Sequence, residues 1–185
     1  MGLVHYPVKD REGNIVTTAV TNLDVHDISR SSRSFGLAGY YVITPIEAQR
    51  ALVDKILEHW VEGSGKRRVP ERGVALSLAR PIDSIAATIA AIEAAHGQRP
   101  RLVVTAARLP GGVAATPFRE VRAEMARENR PWLLLFGTGH GLAQEVLEQA
   151  DLALPPIRPG TYNHLSVRAA CAIILDRLFG DLGAS

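Results

Sequence analysis

A glycine-rich run is the first segment of the sequence that could do chemistry. Residues 133–142 read Leu-Leu-Leu-Phe-Gly-Thr-Gly-His-Gly-Leu, so an apolar stretch ends in Gly137, Gly139 and Gly141. Glycines after a buried strand leave backbone amides uncrowded, and ligands of α/β proteins bind at the carboxyl ends of strands. The spacing leaves a plain strand-to-helix turn open, because the run lacks the Gly-Lys-Ser/Thr ending of a phosphate-binding P-loop.

Residues 151–170 form a second such segment. A short apolar strand stops at Pro155 and Pro156, an irregular loop follows, and Asn163 or Ser166 can cap the final helix. That helix is almost wholly apolar from residue 169 to 175, and a helix of this kind must be buried on more than one side. The pattern predicts a partner subunit against it, with a well-covered core helix as the alternative.

Cations in two places could contact phosphate groups. Arg30 and Arg33 lie three residues apart on a predicted helix, among small serines, and therefore occupy neighbouring positions of one face. A dense basic cluster, residues 65–73 with Lys66, Arg67, Arg68 and Arg72, lies in a predicted surface loop, and flexible basic loops commonly contact nucleic-acid phosphates. A solvated surface is the alternative in both places.

The other reactive residue types indicate structure rather than chemistry. The six histidines show no metal-ligand spacing, so we predict no metal site. Cys171 lies in the apolar final helix, which predicts a buried structural thiol. A single cysteine excludes an internal disulfide and indicates a reducing compartment, hence the cytoplasm. Arginines make up 18 of the 21 cations, which suits phosphate recognition but also a coding bias toward arginine.

Strands and helices alternate along the whole chain. Strands without polar alternation, separated by helices, are typical of a mostly parallel sheet with helices on both faces, so the predicted class is α/β. A length of 185 residues predicts one domain, residues 1–185, and the absence of a bilayer-length apolar run predicts no membrane association. Strands are predicted at 3–8, 39–44, 74–78, 101–107, 131–136 and 152–154, helices at 24–34, 46–63, 82–95, 118–128, 142–149 and 164–179, and surface loops at 62–73 and 108–117.

Together, these segments resemble the SPOUT class of S-adenosylmethionine (SAM)-dependent RNA methyltransferases. In the branch that methylates ribose 2′-hydroxyls, three motifs follow in order: Asn with a helical Arg and Phe-Gly, an apolar strand with a glycine loop, and an Asp followed by a proline loop and a Ser-Val-Ala-Ala helix. The matching stretches here are Asp24, Arg30-Ser31-Ser32 and Phe35-Gly36; residues 134–142; and Asp151, Leu154-Pro155-Pro156-Ile157 and Ser166-Val167-Arg168-Ala169-Ala170. The resemblance extends from about Leu3 to the end of the chain.

The resemblance implies a C-terminal trefoil knot, a homodimer with a shared site, SAM as cofactor and RNA (tRNA or rRNA) as substrate. Methyl transfer is a direct displacement, so it needs alignment and a proton acceptor. Arg30 would be the catalytic residue, orienting the target phosphate across the subunit interface, and Arg33, Lys66, Arg67 and Arg68 would contact RNA. The cofactor would be held by three loops, with these residues: Thr105, Gly137, Thr138, Gly139, Gly141, Leu154, Pro156, Ile157, Asn163, His164, Leu165 and Ala170.

Some positions depart from the ribose-methylating pattern. Gly139 stands where that pattern has Glu, and Asp24 and His164 each replace an Asn. His164 is an alternative proton acceptor. We expect methyl transfer to an RNA nucleotide, with the ribose 2′-hydroxyl slightly favoured over a base. Two alternatives stay open: a non-catalytic cofactor- or RNA-binding protein of the same fold, and a Rossmann-type nicotinamide enzyme, which would need a glycine fingerprint near the N-terminus.

Overall fold

The computed structural model describes residues 1–111, 113–158 and 163–180. Its strands are β1 (Gly2–Val4), β2 (Val8–Lys9), β3 (Ile15–Val16), β4 (Tyr40–Ile43), β5 (Ala79–Ile82), β6 (Arg101–Val104), β7 (Trp132–Gly137) and β8 (Leu152–Ala153). Six of them form a parallel sheet in the order β5-β4-β1-β7-β6-β8, while β2 and β3 form a separate antiparallel hairpin.

Helices cover both faces of the sheet. They are α1 (Asn22–Ser34), α2 (Glu47–Leu57), a π-helical turn (Glu58–Glu62), α3 (Ser64–Arg68), α4 (Pro70–Leu76), α5 (Ile85–His96), α6 (Phe118–Arg127), α7 (Gln144–Glu148) and α8 (Val167–Phe179). One core layer packs sheet residues such as Leu3 and Leu134 against α1, α6 and α8. The other packs Val4 and Leu135 against α5 and α7. The predicted α/β class is therefore confirmed.

The order of the strands puts a topological switch beside β1. The chain runs outward from β1 through β4 to β5, then crosses to the other half of the sheet, and β7 enters between β1 and β6. Ligands of open α/β sheets bind at the carboxyl ends of the strands near such a switch.

The prediction for residues 62–78 is wrong. The expected surface loop 62–73 and strand 74–78 are a helical segment instead, the π-helical turn followed by α3 and α4, and the strand begins only at Ala79. Pro70 occupies the first turn of α4, where its missing N–H costs nothing. The strand that follows contains Pro81, and it lies at the sheet edge, where proline is tolerated.

Helix caps show where local sequence signals hold. Ser84 caps α5, Gly97 ends it with φ +71°, and Ser166 caps α8 by accepting a hydrogen bond from the Ala169 amide. Thr21 caps α1 by accepting a hydrogen bond from the Asp24 amide. The predicted loop at 108–117 contains no helix or strand within its described residues.

The final helix is buried along one face. Cys171, Ile174, Leu175 and Leu178 are buried in the core, and burial raises the pKa of the Cys171 thiol to about 12, as expected of a structural cysteine. Phe179 keeps 39% of its surface exposed.

Candidate functional site

The predicted cofactor loops begin side by side at the carboxyl-terminal edge of the sheet, where its parallel strands end. Val104 of β6 lies opposite Leu135 of β7 and Ala153 of β8, so the residues that follow these strands share one edge. The first residues after β6, β7 and β8 are Thr105, Thr138 and Leu154. The structure therefore brings together the starts of three segments that are far apart in the chain.

Steric contacts explain the glycines after β7. A Cβ on Gly137 would lie 2.5 Å from the Leu142 amide nitrogen, and one on Gly139 would lie 3.0 Å from the Lys9 carbonyl oxygen. Gly139 and Gly141 also have φ values of +58° and +99°, which other L residues rarely adopt. The chain can fold back on itself here only because these positions lack side chains.

The expectation that the amides of this glycine segment are free is wrong at three positions. The Thr138 amide donates to the Val4 carbonyl at 3.2 Å, that of His140 to Lys9 at 2.9 Å, and that of Gly141 to Thr138 at 3.0 Å. The Lys9 backbone amide also donates to the Gly141 carbonyl at 2.9 Å. The β2–β3 hairpin, which sequence reasoning left without a role, therefore fixes the glycine segment in place.

A partly buried chain of hydrogen-bonded side chains supports the same segment. His5 Nδ1 lies 3.0 Å from Thr18 Oγ1, which lies 2.5 Å from Thr138 Oγ1. Because Thr138 donates its one hydroxyl proton to the Val4 carbonyl, Thr18 must donate to Thr138, and His5 must donate from Nδ1. Burial, partly opposed by Asp24, lowers the pKa of His5 to about 4, so its imidazole is neutral near pH 7.

The other two loops meet through Asn163. Its side-chain Nδ2 donates to the Ala107 carbonyl at 2.8 Å, which joins the loop after β6 to the loop after β8. Thr105 is nearly buried, and its amide and hydroxyl both donate to the Leu135 carbonyl. Leu154 is fully buried, and its amide donates to the Val104 carbonyl at 2.9 Å.

The remaining predicted cofactor residues lie near this edge with mixed exposure. Pro156, Ile157 and Ala170 are partly buried, whereas His164 and Leu165 are exposed. Residues 159–162 of the predicted loop 154–165 lie outside the described residues. A cavity of about 540 Å³ lies elsewhere, between α5 and α7, and is lined by residues such as Ile89 and Val146.

An ion pair joins the first motif to the third. Arg168 Nη1 lies 2.7 Å from Asp24 Oδ1, and Arg168 Nε lies 3.5 Å from Asp27 Oδ2. Thr21 Oγ1 donates to the other Asp24 oxygen at 2.6 Å and accepts from the Asp24 amide. Sequence reasoning missed Arg168 as a site residue, although an arginine inside an otherwise apolar helix was the signal that could have found it.

The predicted RNA-contacting residues are all exposed. Arg30 and Arg33 project from α1, and Lys66, Arg67 and Arg68 lie on α3, which is a helix and not the flexible loop that we expected. The segment packs on α1, because α1 and α4 are in extensive contact. Because α3 packs on α4 in turn, its basic residues lie on the segment that covers α1.

Two further features concern the described residues. Within 1–111, 113–158 and 163–180, no three His, Cys, Asp or Glu side chains are grouped so that they could hold a metal ion. Over the same ranges, the helices are too short or too polar to cross a lipid bilayer.

Relatives of known sequence match nearly the whole chain. A protein from Oleidesulfovibrio alaskensis, named tRNA (guanine-N(1)-)-methyltransferase, is 53% identical over 180 residues, which are 97% of this chain and 41% of the relative. An uncharacterized protein from Aquifex aeolicus is 40% identical over 181 residues, 97% of this chain and 87% of the relative. The chain thus spans about 41% of the named relative's length.

Solved structures share the fold at low sequence identity. TrmJ from Zymomonas mobilis ZM4 superposes with a TM-score of 0.61 at 14% identity, covering 100% of this chain and 70% of the other. The SpoU methyltransferase AviRb from Streptomyces viridochromogenes, in complex with AdoMet, superposes with a TM-score of 0.57 at 19% identity, covering 97% and 56%. These likenesses show that the chain shares the fold of both proteins.

The family follows from the sequence itself. A profile of the family described as SAM-dependent RNA methyltransferase matches residues 1–180, which is nearly the whole chain. That match agrees with the three motifs that meet at the edge of the sheet. The chain belongs to the family of SAM-dependent RNA methyltransferases.

Proposed function

We propose that this chain transfers a methyl group from SAM to a nucleotide of tRNA, at the sheet edge beside α1. One observation carries the proposal: the loops after β6, β7 and β8 start together there, and the Asp24–Arg168 pair ties α1 to α8 next to them. The tRNA substrate is supported by the name of the Oleidesulfovibrio relative.

The cofactor fits the groups present at this edge. When bound, SAM supplies an electrophilic methyl group on its sulfonium. The adenosine is a neutral, flat ligand that backbone groups can hold, and Gly137 and Gly139 allow close approach because they have no side chains. Asn163 uses its Nδ2 on the Ala107 carbonyl and keeps its carboxamide oxygen as a further acceptor.

Arg30 is the residue that we assign to the substrate side. It is exposed on α1, and its guanidinium can bind a phosphate of the RNA through two parallel hydrogen bonds. A guanidinium stays protonated near neutral pH, so its contribution is to position and to stabilise charge rather than to accept a proton. Positioning of the target nucleotide is the main requirement of a direct displacement.

The target atom that we favour is the ribose 2′-hydroxyl, because the spacing of Arg30 and the Phe35-Gly36 pair follows the ribose-methylating pattern. A guanine base is the second candidate, since the Oleidesulfovibrio relative is named as a guanine-N1 enzyme. More than half of that relative lies outside the matched region, so its named activity can belong to either part.

We also propose a homodimer and a knotted C-terminus. Leu23 of α1 is 60% exposed and Leu165 before α8 is 45% exposed, and a second copy covering them would bury both side chains. Such a dimer would bring Arg30 of one subunit toward the cofactor loops of the other. Sedimentation should then show a dimer, and Leu165→Asp should shift it toward monomer.

The proposed reaction is tested with isotope-labelled SAM and total RNA from a strain that lacks the protein. Labelled RNA is digested to nucleosides and separated. We expect label in tRNA as a 2′-O-methylated nucleoside, whereas labelled 1-methylguanosine would select the base. Absence of label from all RNA, with the cofactor bound, would support a binding protein of the same fold instead.

A further inference from the structure

The charged side chains on the two flanks of α1 differ in whether they have ion-pair partners. On the α8 flank, Asp24 and Asp27 are both paired with Arg168. His26, Arg30 and Arg33 follow one another at spacings of four and three, so they form one stripe along the helix, away from that pair. In the described part of the chain, neither Arg30 nor Arg33 has a carboxylate partner within 4.0 Å.

Trp60 docks the helical segment 58–76 on this stripe. The indole ring meets the His26 ring edge to face, with the ring centroids 5.4 Å apart, and the Arg72 guanidinium lies 4.7 Å from the indole centroid. A Cβ on Gly65 would lie 2.6 Å from the indole Cε3 atom, and one on Gly73 would lie 2.6 Å from the Trp60 carbonyl oxygen. Trp60 is therefore enclosed by glycines, and Arg72 is held in one place beside α1.

The positive charges near His26 disfavour the protonated form of its imidazole. Burial, Arg72 and Arg30 all lower the pKa of His26, and only Asp27 opposes them. His26 Nδ1 is buried and has no hydrogen-bond partner in the described structure. Across the contact, the groups that face this imidazole are Arg72 on α4 and Trp60, with His59 on the far side of the indole.

Cations on α3 lie beside α4, because a Cβ on Gly73 would lie 3.8 Å from Lys66 Cγ. Lys66, Arg67 and Arg68 are exposed, and within the described residues none of them pairs with a carboxylate. We name the basic ridge the set formed by Arg30, Arg33, Lys66, Arg67, Arg68 and Arg72. Unpaired arginines around a fixed aromatic ring suit the regularly spaced phosphates of a nucleic acid.

We propose that the basic ridge is the docking surface for the substrate RNA, with Arg72 as a phosphate-binding residue beside Arg30. The proposal rests on the proposed function, because it assigns where that function's RNA lies. It adds Arg72 to the site and gives the helical segment 58–76 a role. Stacking on Trp60 pre-organises Arg72, so the guanidinium loses little freedom when it binds a phosphate.

RNA affinity measured without turnover tests the ridge. Binding of fluorescently labelled bulk tRNA is followed by anisotropy across a salt series for the wild type, Arg72→Gln, and the triple variant Lys66→Gln/Arg67→Gln/Arg68→Gln. Each lost phosphate contact should weaken binding and reduce the slope of log K against log salt by about 0.7–0.9. SAM affinity should stay unchanged. Arg119→Gln is the matched control, because Arg119 is 87% exposed and lies on α6.

The outcomes separate the ridge from the proposed function. The ridge proposal would be overturned if the folded triple variant kept the wild-type tRNA affinity and salt slope. The triple variant leaves Trp60 and its contacts intact, so it still tests the ridge should Arg72→Gln fail to fold. Equally tight binding of polyglutamate would also overturn it. If the ridge variants lose tRNA binding but the wild type methylates no RNA, the ridge stands and the proposed function fails. RNA binding should also raise the pKa of His26, observed by NMR, because a phosphate stabilises the imidazolium.

Discussion

The glycine segment after β7 and the basic ridge on α1 and α3–α4 are built in opposite ways. In the glycine segment, amides of Thr138, His140 and Gly141 are bonded to carbonyls of the chain itself, and a partly buried hydroxyl chain supports them. On the ridge, the cations face outward without carboxylate partners among the described residues. The glycine segment satisfies these hydrogen bonds within the chain. For the ridge, we propose that the phosphates of bound RNA supply the missing partners.

This difference predicts different consequences of mutation. Changes in the glycine segment should alter stability and cofactor affinity together, because its shape depends on close backbone packing. Changes at the exposed ridge residues Arg30, Arg33, Lys66, Arg67 and Arg68 should alter RNA affinity and leave stability nearly unchanged, since exposed charges contribute little to folding.

Gly137→Ala should have the largest effect on the glycine segment. The new Cβ would overlap the Leu142 amide at 2.5 Å, and overpacking of this kind costs roughly 3 kcal/mol of unfolding free energy. SAM affinity should fall at least about tenfold, which is about 1.4 kcal/mol. Urea unfolding and equilibrium SAM binding measure both. Gly111→Ala is the control, because no atom lies within 4 Å of its added Cβ; equal behaviour of the two variants would contradict the steric argument.

Asp24→Asn should rank next, because it removes the charge that Arg168 and Thr21 bind. The Asp24 side chain is only 7% exposed, so loss of this charge-assisted pair should lower the unfolding free energy by about 2–3 kcal/mol. Asp27→Asn, at a side chain 48% exposed and 3.5 Å from Arg168, should cost less than about 0.5 kcal/mol. Equal losses in urea unfolding would show that the ion pair does not join the two motifs.

Thr18→Val should lower the unfolding free energy less than Gly137→Ala or Asp24→Asn does. It leaves His5 Nδ1 without its acceptor, at a cost of about 1–2 kcal/mol. Thr18→Ser keeps the hydroxyl and should restore the unfolding free energy and the SAM affinity. If valine and serine behave alike, the hydroxyl chain does not support the glycine segment.

Much of the fold could be predicted from the sequence because its signals were local. The apolar run at 131–136 and the apolar stretch at 82–95 each specify their own element, and both are found, as β7 and α5. Residues 74–78 were predicted wrongly because a short apolar run fits a helix or a strand, and the packing of Gly73 against Trp60 decides between them.

The site was predictable only where a motif reports it. Arg30 and the glycines belong to recognisable motifs, whereas the roles of His5, Thr18 and Arg168 depend on contacts between distant segments. The glycine spacing indicated free amides, but the Thr138 and His140 amides donate to the Val4 and Lys9 carbonyls, more than 100 residues earlier in the chain. No local pattern could show that these two amides are bonded.

The most direct test of the account is methyl transfer to tRNA by the Arg30→Ala variant. The account predicts that kcat falls by about 100-fold or more, with SAM affinity and unfolding free energy unchanged and Arg119→Ala equal to the wild type. Methyl transfer by Arg30→Ala at the wild-type rate would contradict the assignment of α1 to the substrate side of the site.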